Sequence, residues 1–193
     1  MRQYRNLMVG FALWAVSALP VSAANYHYAV EVASEFVADS SGYLQGLKVS
    51  WLYDETVSAL LTEADNMTPA RFKFELKRLS ERMIADLHKK NYFASLEVGG
   101  VNQAFDAIED YTVEFTKNKR LKLDFELPLA EPFALDGQKV QIRWSDPAGI
   151  GLYLYKSSDE VSLGTIDLTC AIEVWNYPNA EHLEIPQEVK MQC

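Results

Sequence analysis

Residues 111–127 read YTVEFTKNKRLKLDFEL, and this stretch decides the fold. Tyr111, Val113 and Phe115 alternate with Thr112, Glu114 and Thr116, and Leu121, Leu123, Phe125 and Leu127 alternate with Lys122, Asp124 and Glu126. Neighbouring side chains of a strand point to opposite faces, so a period of two on both sides of Asn118-Lys119 predicts a β-hairpin.

Working outward, the same period recurs. Residues 28–38 and 44–53 are predicted strands joined by a Ser40-Ser41-Gly42 turn; in the second, Leu47, Val49, Trp51 and Tyr53 share one face. Val140-Ile142-Trp144, Ile150-Leu152-Leu154 and residues 169–175 predict further strands. Between them the period changes. Residues 55–64 predict a short helix, and Pro69 after Thr68 starts a longer one with Phe72, Leu76, Leu79, Met83 and Leu87 on one stripe. The expected fold class is α+β: a mainly antiparallel β sandwich or curled sheet with a two-helix insertion. Residues 25–175 form the expected single domain, and the polar residues 176–193 read as a C-terminal tail.

The chain has 193 residues, 49% of them hydrophobic, and 23 aromatic side chains, too rich a content for disorder. Eighteen basic against 27 acidic side chains give a net charge of −9, which speaks against binding a phosphate backbone; nucleic acid is not an expected partner. Such a surface favours cations. At the start, Arg2 and Arg5 precede an uncharged run over residues 7–19, then Pro20 and the small residues Val21-Ser22-Ala23-Ala24. These are the parts of a secretory signal peptide over residues 1–24, with cleavage after Ala23 or Ala24. The mature protein is then expected outside the cytoplasm, where the even pair Cys170 and Cys193 predicts a disulfide that fastens the tail.

The chemistry-bearing motifs are sparse. The sequence has no Gly-x-Ser-x-Gly elbow, phosphate-cradling glycine loop, His-Glu-x-x-His or Cys-x-x-Cys, and only His27, His88 and His182 for a general base of the usual kind. No enzyme is expected. Asn66-Met67-Thr68 fits a glycosylation sequon, a short match of little weight by itself. One constellation stands out: His27 opens the first strand, Asp54 ends the second, and Asp146 follows the strand ending in Trp144. Strand ends meeting at one rim would bring together an imidazole and two carboxylates, a donor set suited to zinc or a neighbouring divalent ion with one position open. Each residue also has a plain structural role. Asp54 before Glu55-Thr56-Val57 is placed to cap a helix, Asp146 before Pro147 to form an Asx-turn, and His27 to be an exposed strand residue. His88, beside Lys89 and Lys90, suits the negative end of the long helix, and His182 an exposed place in the tail.

A resemblance adds to this. Gly46-Leu47, Trp51-Leu52-Tyr53-Asp54-Glu55, Ser58-Ala59-Leu60-Leu61, Asn91-Tyr92-Phe93, Phe125-Glu126-Leu127-Pro128-Leu129 with Pro132, and Ser145-Asp146-Pro147 follow one another in an order that resembles domain-of-unknown-function family 1007. The likeness runs from Tyr26 to about Leu163. It implies a periplasmic component of an ABC-type transport system, of the kind often encoded beside nickel/cobalt-type or zinc permeases. His27, Asp54 and Asp146 fall at the family's recurring polar positions. Members of the family begin the mature chain with His-Pro-His; here Asn25-Tyr26-His27 stands instead, so one of the two histidines remains, and Glu31 replaces a frequent Asp. The expectation is a periplasmic accessory protein that captures zinc or nickel transiently and hands it to a membrane permease. The alternative is an extracytoplasmic, non-catalytic interaction module that supports assembly of a membrane complex. Cleavage after Ala24 would also expose an amine, two backbone amides and the His27 imidazole in the order that wraps Cu(II) or Ni(II) in a square plane.

Overall fold

The computed structural model describes residues 27–64, 68, 70–164, 166, 168–175 and 187–193. The predicted signal segment, Asn25-Tyr26, Asn66-Met67, Pro69 and His182 lie outside the described residues. Two long strands, β1 (Tyr28–Ala38) and β2 (Tyr43–Tyr53), lead into helices α1 (Glu55–Ala64) and α2 (Phe72–Lys89). Strands β3 (Ala94–Val98), β4 (Val101–Gln103), β5 (Tyr111–Phe115), β6 (Leu121–Ala134), β7 (Lys139–Trp144), β8 (Gly151–Leu154), β9 (Val161–Ser162), β10 (Ala171–Trp175) and β11 (Glu188–Gln192) follow. They form two mostly antiparallel sheets, ordered β5-β6-β2-β1-β8, with β9 also on β1, and β10-β11-β7-β3-β4. The fold is α+β with a two-helix insertion, as expected, and the described strands form no closed barrel.

The 111–127 hairpin explains how the sheets meet. Leu121, Leu123, Phe125 and Leu127 are all at most 3% exposed, while Lys122 and Asp124 are half-buried and Glu126 exposed on the outer face. The inner rows of both sheets join in one core that includes Val30, Val49 and Trp51 from the first and Leu96, Ile142, Trp144 and Met191 from the second. Trp51 and Trp144 meet edge to face across it, their ring centroids 5.6 Å apart. Aromatic pairs of this geometry add to an already large area of burial. Helix α2 closes one end of the core with Leu79, Ile84 and Leu87.

Two expectations need correction. Phe72, placed on the inward stripe of the long helix, is 38% exposed, whereas Glu75 is buried. Leu76, Leu79, Met83 and Leu87 of the predicted stripe do pack on the core; Phe72 lies outside it at the helix start, and Glu75 is buried because Arg71 and Arg78 both reach its carboxylate. The expected tail also contains β11, which lies between β10 and β7 as an inner strand, with Val189 and Met191 in the core. Its apolar positions alternate over only five residues, too few to show a period against a polar background. Cys170 and Cys193 are joined by a disulfide just outside the β10-β11 pair, where Ala171 faces Gln192.

Candidate functional site

The start of β1, the end of β2 and the β7-to-β8 crossover meet at one end of the first sheet because β1 is paired on both sides. Antiparallel β2 sets Tyr53 opposite Val30, and parallel β8 sets Gly151 opposite Tyr28 and Tyr153 opposite Val30. All three residues proposed as ligands belong to this end. His27 is exposed, and its backbone N–H donates to the Ile150 carbonyl at 2.8 Å. The Asp54 carboxylate accepts the Val57 N–H at 2.8 Å through Oδ1, capping α1, and the Ala29 N–H at 2.9 Å through Oδ2. Asp146 accepts the Ala148 N–H at 2.8 Å through Oδ1 and those of Ile150 and Gly151 at 3.3 and 3.1 Å through Oδ2. The structure therefore brings these residues to one end, but turns both carboxylates onto backbone amides. Among the described residues no three His, Cys, Asp or Glu side chains are grouped to hold a metal ion.

Beside this rim lies a groove of about 480 Å³ between the sheet end and the two helices. Tyr28, Tyr53, Leu61, Leu79, Leu87 and Phe93 give it an aromatic and aliphatic lining. Arg82, Lys89 and Lys90, against the single carboxylate of Asp86, supply its charged edge. A Cβ on Gly151 would fall 2.6 Å from the Tyr28 ring, so glycine is what lets that ring lie against β8. Phe93 is presented by a turn in which Asn91, Tyr92 and Phe93 have φ of 48°, 56° and 54°. Three consecutive non-glycine residues in the left-handed region are costly, and the surrounding bonds must hold them. The Tyr92 hydroxyl lies 2.7 Å from His88 Nδ1, donates to the Asp106 carbonyl at 3.1 Å and accepts the Ile108 N–H at 3.3 Å. The Phe93 carbonyl accepts the Ser145 N–H at 2.8 Å, tying this turn to the crossover that Asp146 shapes.

Burial pushes the phenols of Tyr53 and Tyr153 far up from their ordinary value, and neighbouring Tyr28 raises both further. Burial also raises Tyr28; the nearby Tyr153 hydroxyl offsets part of this and the Asp146 charge adds to it. At neutral pH all three are neutral hydroxyls. Just outside the groove, burial alone would raise the Glu31 carboxyl, but hydrogen bonds and charges from Lys156 and Arg120 outweigh it and hold it below the usual range. Arg120 meets Glu31 at 2.8 Å and also donates to the Tyr53 carbonyl at 2.8 Å, fixing the end of β2.

Sequence reasoning missed Tyr28 and Phe93 as lining of this groove. The signal was present for Tyr28: it continues the inward row of Val30 and Val32 past the last aliphatic residue. Phe93 gave no such signal, because its place follows from a left-handed turn that no pattern of residue types specifies.

No curated protein matches the chain. The family model described as Protein of unknown function (DUF1007) matches residues 10–190, nearly the whole length, and the chain belongs to that family.

Proposed function

We propose that this is a periplasmic, non-catalytic accessory protein of a membrane transport system, and that it engages its partner through the groove and rim at the end of the first sheet. One observation carries this reading. The segments around Tyr28, Tyr53, Leu61, Leu87 and Phe93, dispersed in sequence, line one aromatic groove, whose rim is held by the Asp54 bond to Ala29 and the Phe93 bond to Ser145. Concave apolar sites edged by a few charged groups are where proteins bind partners. Asp54 and Asp146 serve this surface as anchors of its backbone. A photocrosslinking residue placed at Leu61, tested in intact cells, is expected to capture an integral membrane transport protein; the same residue at exposed Asp136 is expected to capture none. Capture of a soluble protein alone, or equal capture at both positions, contradicts the proposal.

Transient capture of zinc or nickel is a second reading, favoured by the exposed place of His27 on the rim that also holds Asp54 and Asp146. Calorimetric titration with each ion is then expected to show binding that His27→Ala weakens at least tenfold. Binding indifferent to that change removes His27 from the reading. Determining the mature N-terminus decides the copper or nickel alternative, which requires Asn25 to be first.

A further inference from the structure

Helix α2 has a charge opposite to that of the protein it belongs to. Residues 71–90 hold seven of the 18 Lys and Arg but three of the 27 Asp and Glu, so the rest of the chain carries eleven basic against 24 acidic groups. Arg71, Lys73, Phe74, Lys77 and Arg78 are all exposed along its first half, while Leu79, Ile84 and Leu87 further on face the core. Phe74 is 60% exposed in the middle of these cations. Exposed Phe72 lies beside the same end, with its ring 6.0 Å from Phe115, and Leu60 of α1 is also exposed. Arg71 and Arg78 share the Glu75 carboxylate, Lys77 meets Glu81 and Lys89 meets Asp86, so three acids offset part of the seven positive charges and leave residues 71–90 a net charge of +4.

We infer that α2 docks the protein on an anionic lipid surface, with the cations against the headgroups and Phe74 inserted among them. Residues 71–78 span about 10 Å of helix, and their cations surround an exposed aromatic ring on an open face instead of lining the groove, which suits a charged plane better than a peptide. The acidic remainder is repelled by the same surface, so the charge asymmetry fixes orientation as well as attraction. Basic residues with an aromatic wedge are the recurring means of such attachment. The inference does not rest on the transport reading, since a lipid surface can be bound whatever the groove engages.

The test is co-sedimentation of the exported chain with vesicles of phosphatidylcholine alone and of an equimolar mixture with phosphatidylglycerol. Binding is expected to the mixture only, and to be lost in about 1 M salt, where the screening length shrinks to about 3 Å. Each cation near an anionic surface is worth about fivefold in affinity, so Lys73→Glu combined with Lys77→Glu is expected to weaken binding by more than about tenfold. Phe74→Ser is expected to weaken it several-fold with the salt dependence intact. Lys139→Glu, on β7, is expected to leave it unchanged. Circular dichroism and unfolding midpoints like those of the wild type show that these surface variants fold. No binding to the mixture, equal binding to both vesicles, or binding indifferent to the α2 variants overturns the inference. Self-association abolished by those variants without vesicle binding assigns this face to a second copy instead.

Discussion

Ser58 is fully buried, and its hydroxyl does two things at once: it donates to the Asp54 carbonyl at 2.6 Å and accepts the Leu121 N–H at 2.8 Å. It thereby joins α1 to the first residue of β6. Ser58→Ala leaves a buried amide without its acceptor, which costs about 1–3 kcal/mol and is measurable as a shift of the urea midpoint; a change under about 0.5 kcal/mol contradicts the assignment. Asp54→Ala and Asp146→Ala are each expected to lose about 1–2 kcal/mol in metal-free buffer, because the backbone amides they hold lose their partners. Stability lost only when zinc is present would identify them as ligands instead. The sequence disclosed half of this. The cap on Val57 is three residues away and readable from local spacing, whereas the bond to Ala29 spans 25 residues and exists only because β1 and β2 pair in one register.

At the scale of elements, what a pattern revealed depended on how far it ran. The bounds of β1, α1 and β5 follow from alternation or helical spacing, and the long rows of β2 and β6 were equally plain. The face of α2 was legible from Leu76 to Leu87 but not at its start, where Phe72 is exposed and Glu75 is inside because two arginines compensate it. Strand β11 was hidden by brevity. Its inner position makes a sharp prediction: a chain ending at Gln187 is expected not to fold, since it exposes the edge of β7 and removes Val189 and Met191 from the core. Cys193→Ser is a milder change. The bridge closes a separation of 23 residues, so its loss is expected to cost about 3 kcal/mol, or roughly 6–12 °C in Tm, with the spectrum of the folded state retained. A truncated chain with native circular dichroism would return these residues to the role of a tail.

On the scale of the whole molecule, the two sheets are held together by more than apolar contact. Trp144 of β7 donates through Nε1 to the Tyr155 hydroxyl at 2.6 Å, and that hydroxyl lies 2.8 Å from the Ser34 hydroxyl on β1. Burial pushes the Tyr155 phenol up to about 12, with the Ser34 and Trp144 bonds offsetting part of the effect. Tyr28, Tyr53 and Tyr153, near the same junction, are raised as well. In the unfolded chain these groups ionise near the ordinary value of 10.0. The folded state therefore keeps protons that the unfolded state gives up, and ∂ΔG/∂pH is negative in this range. Stability from these groups is fully present below about pH 10 and is lost as pH rises toward and through the raised folded values. Such a buried polar junction was invisible in the sequence, where Ser34, Trp144 and Tyr155 occupy separate strands or a loop and nothing marks them as partners. The sheets are therefore expected to unfold together in base. Tyrosinate absorbance followed with near-ultraviolet circular dichroism is expected to show exposed tyrosines ionising first and the buried group ionising only in step with loss of tertiary signal, between about pH 10 and 12. Complete ionisation of all tyrosines near pH 10 with the tertiary signal intact would show that this junction is not closed to solvent.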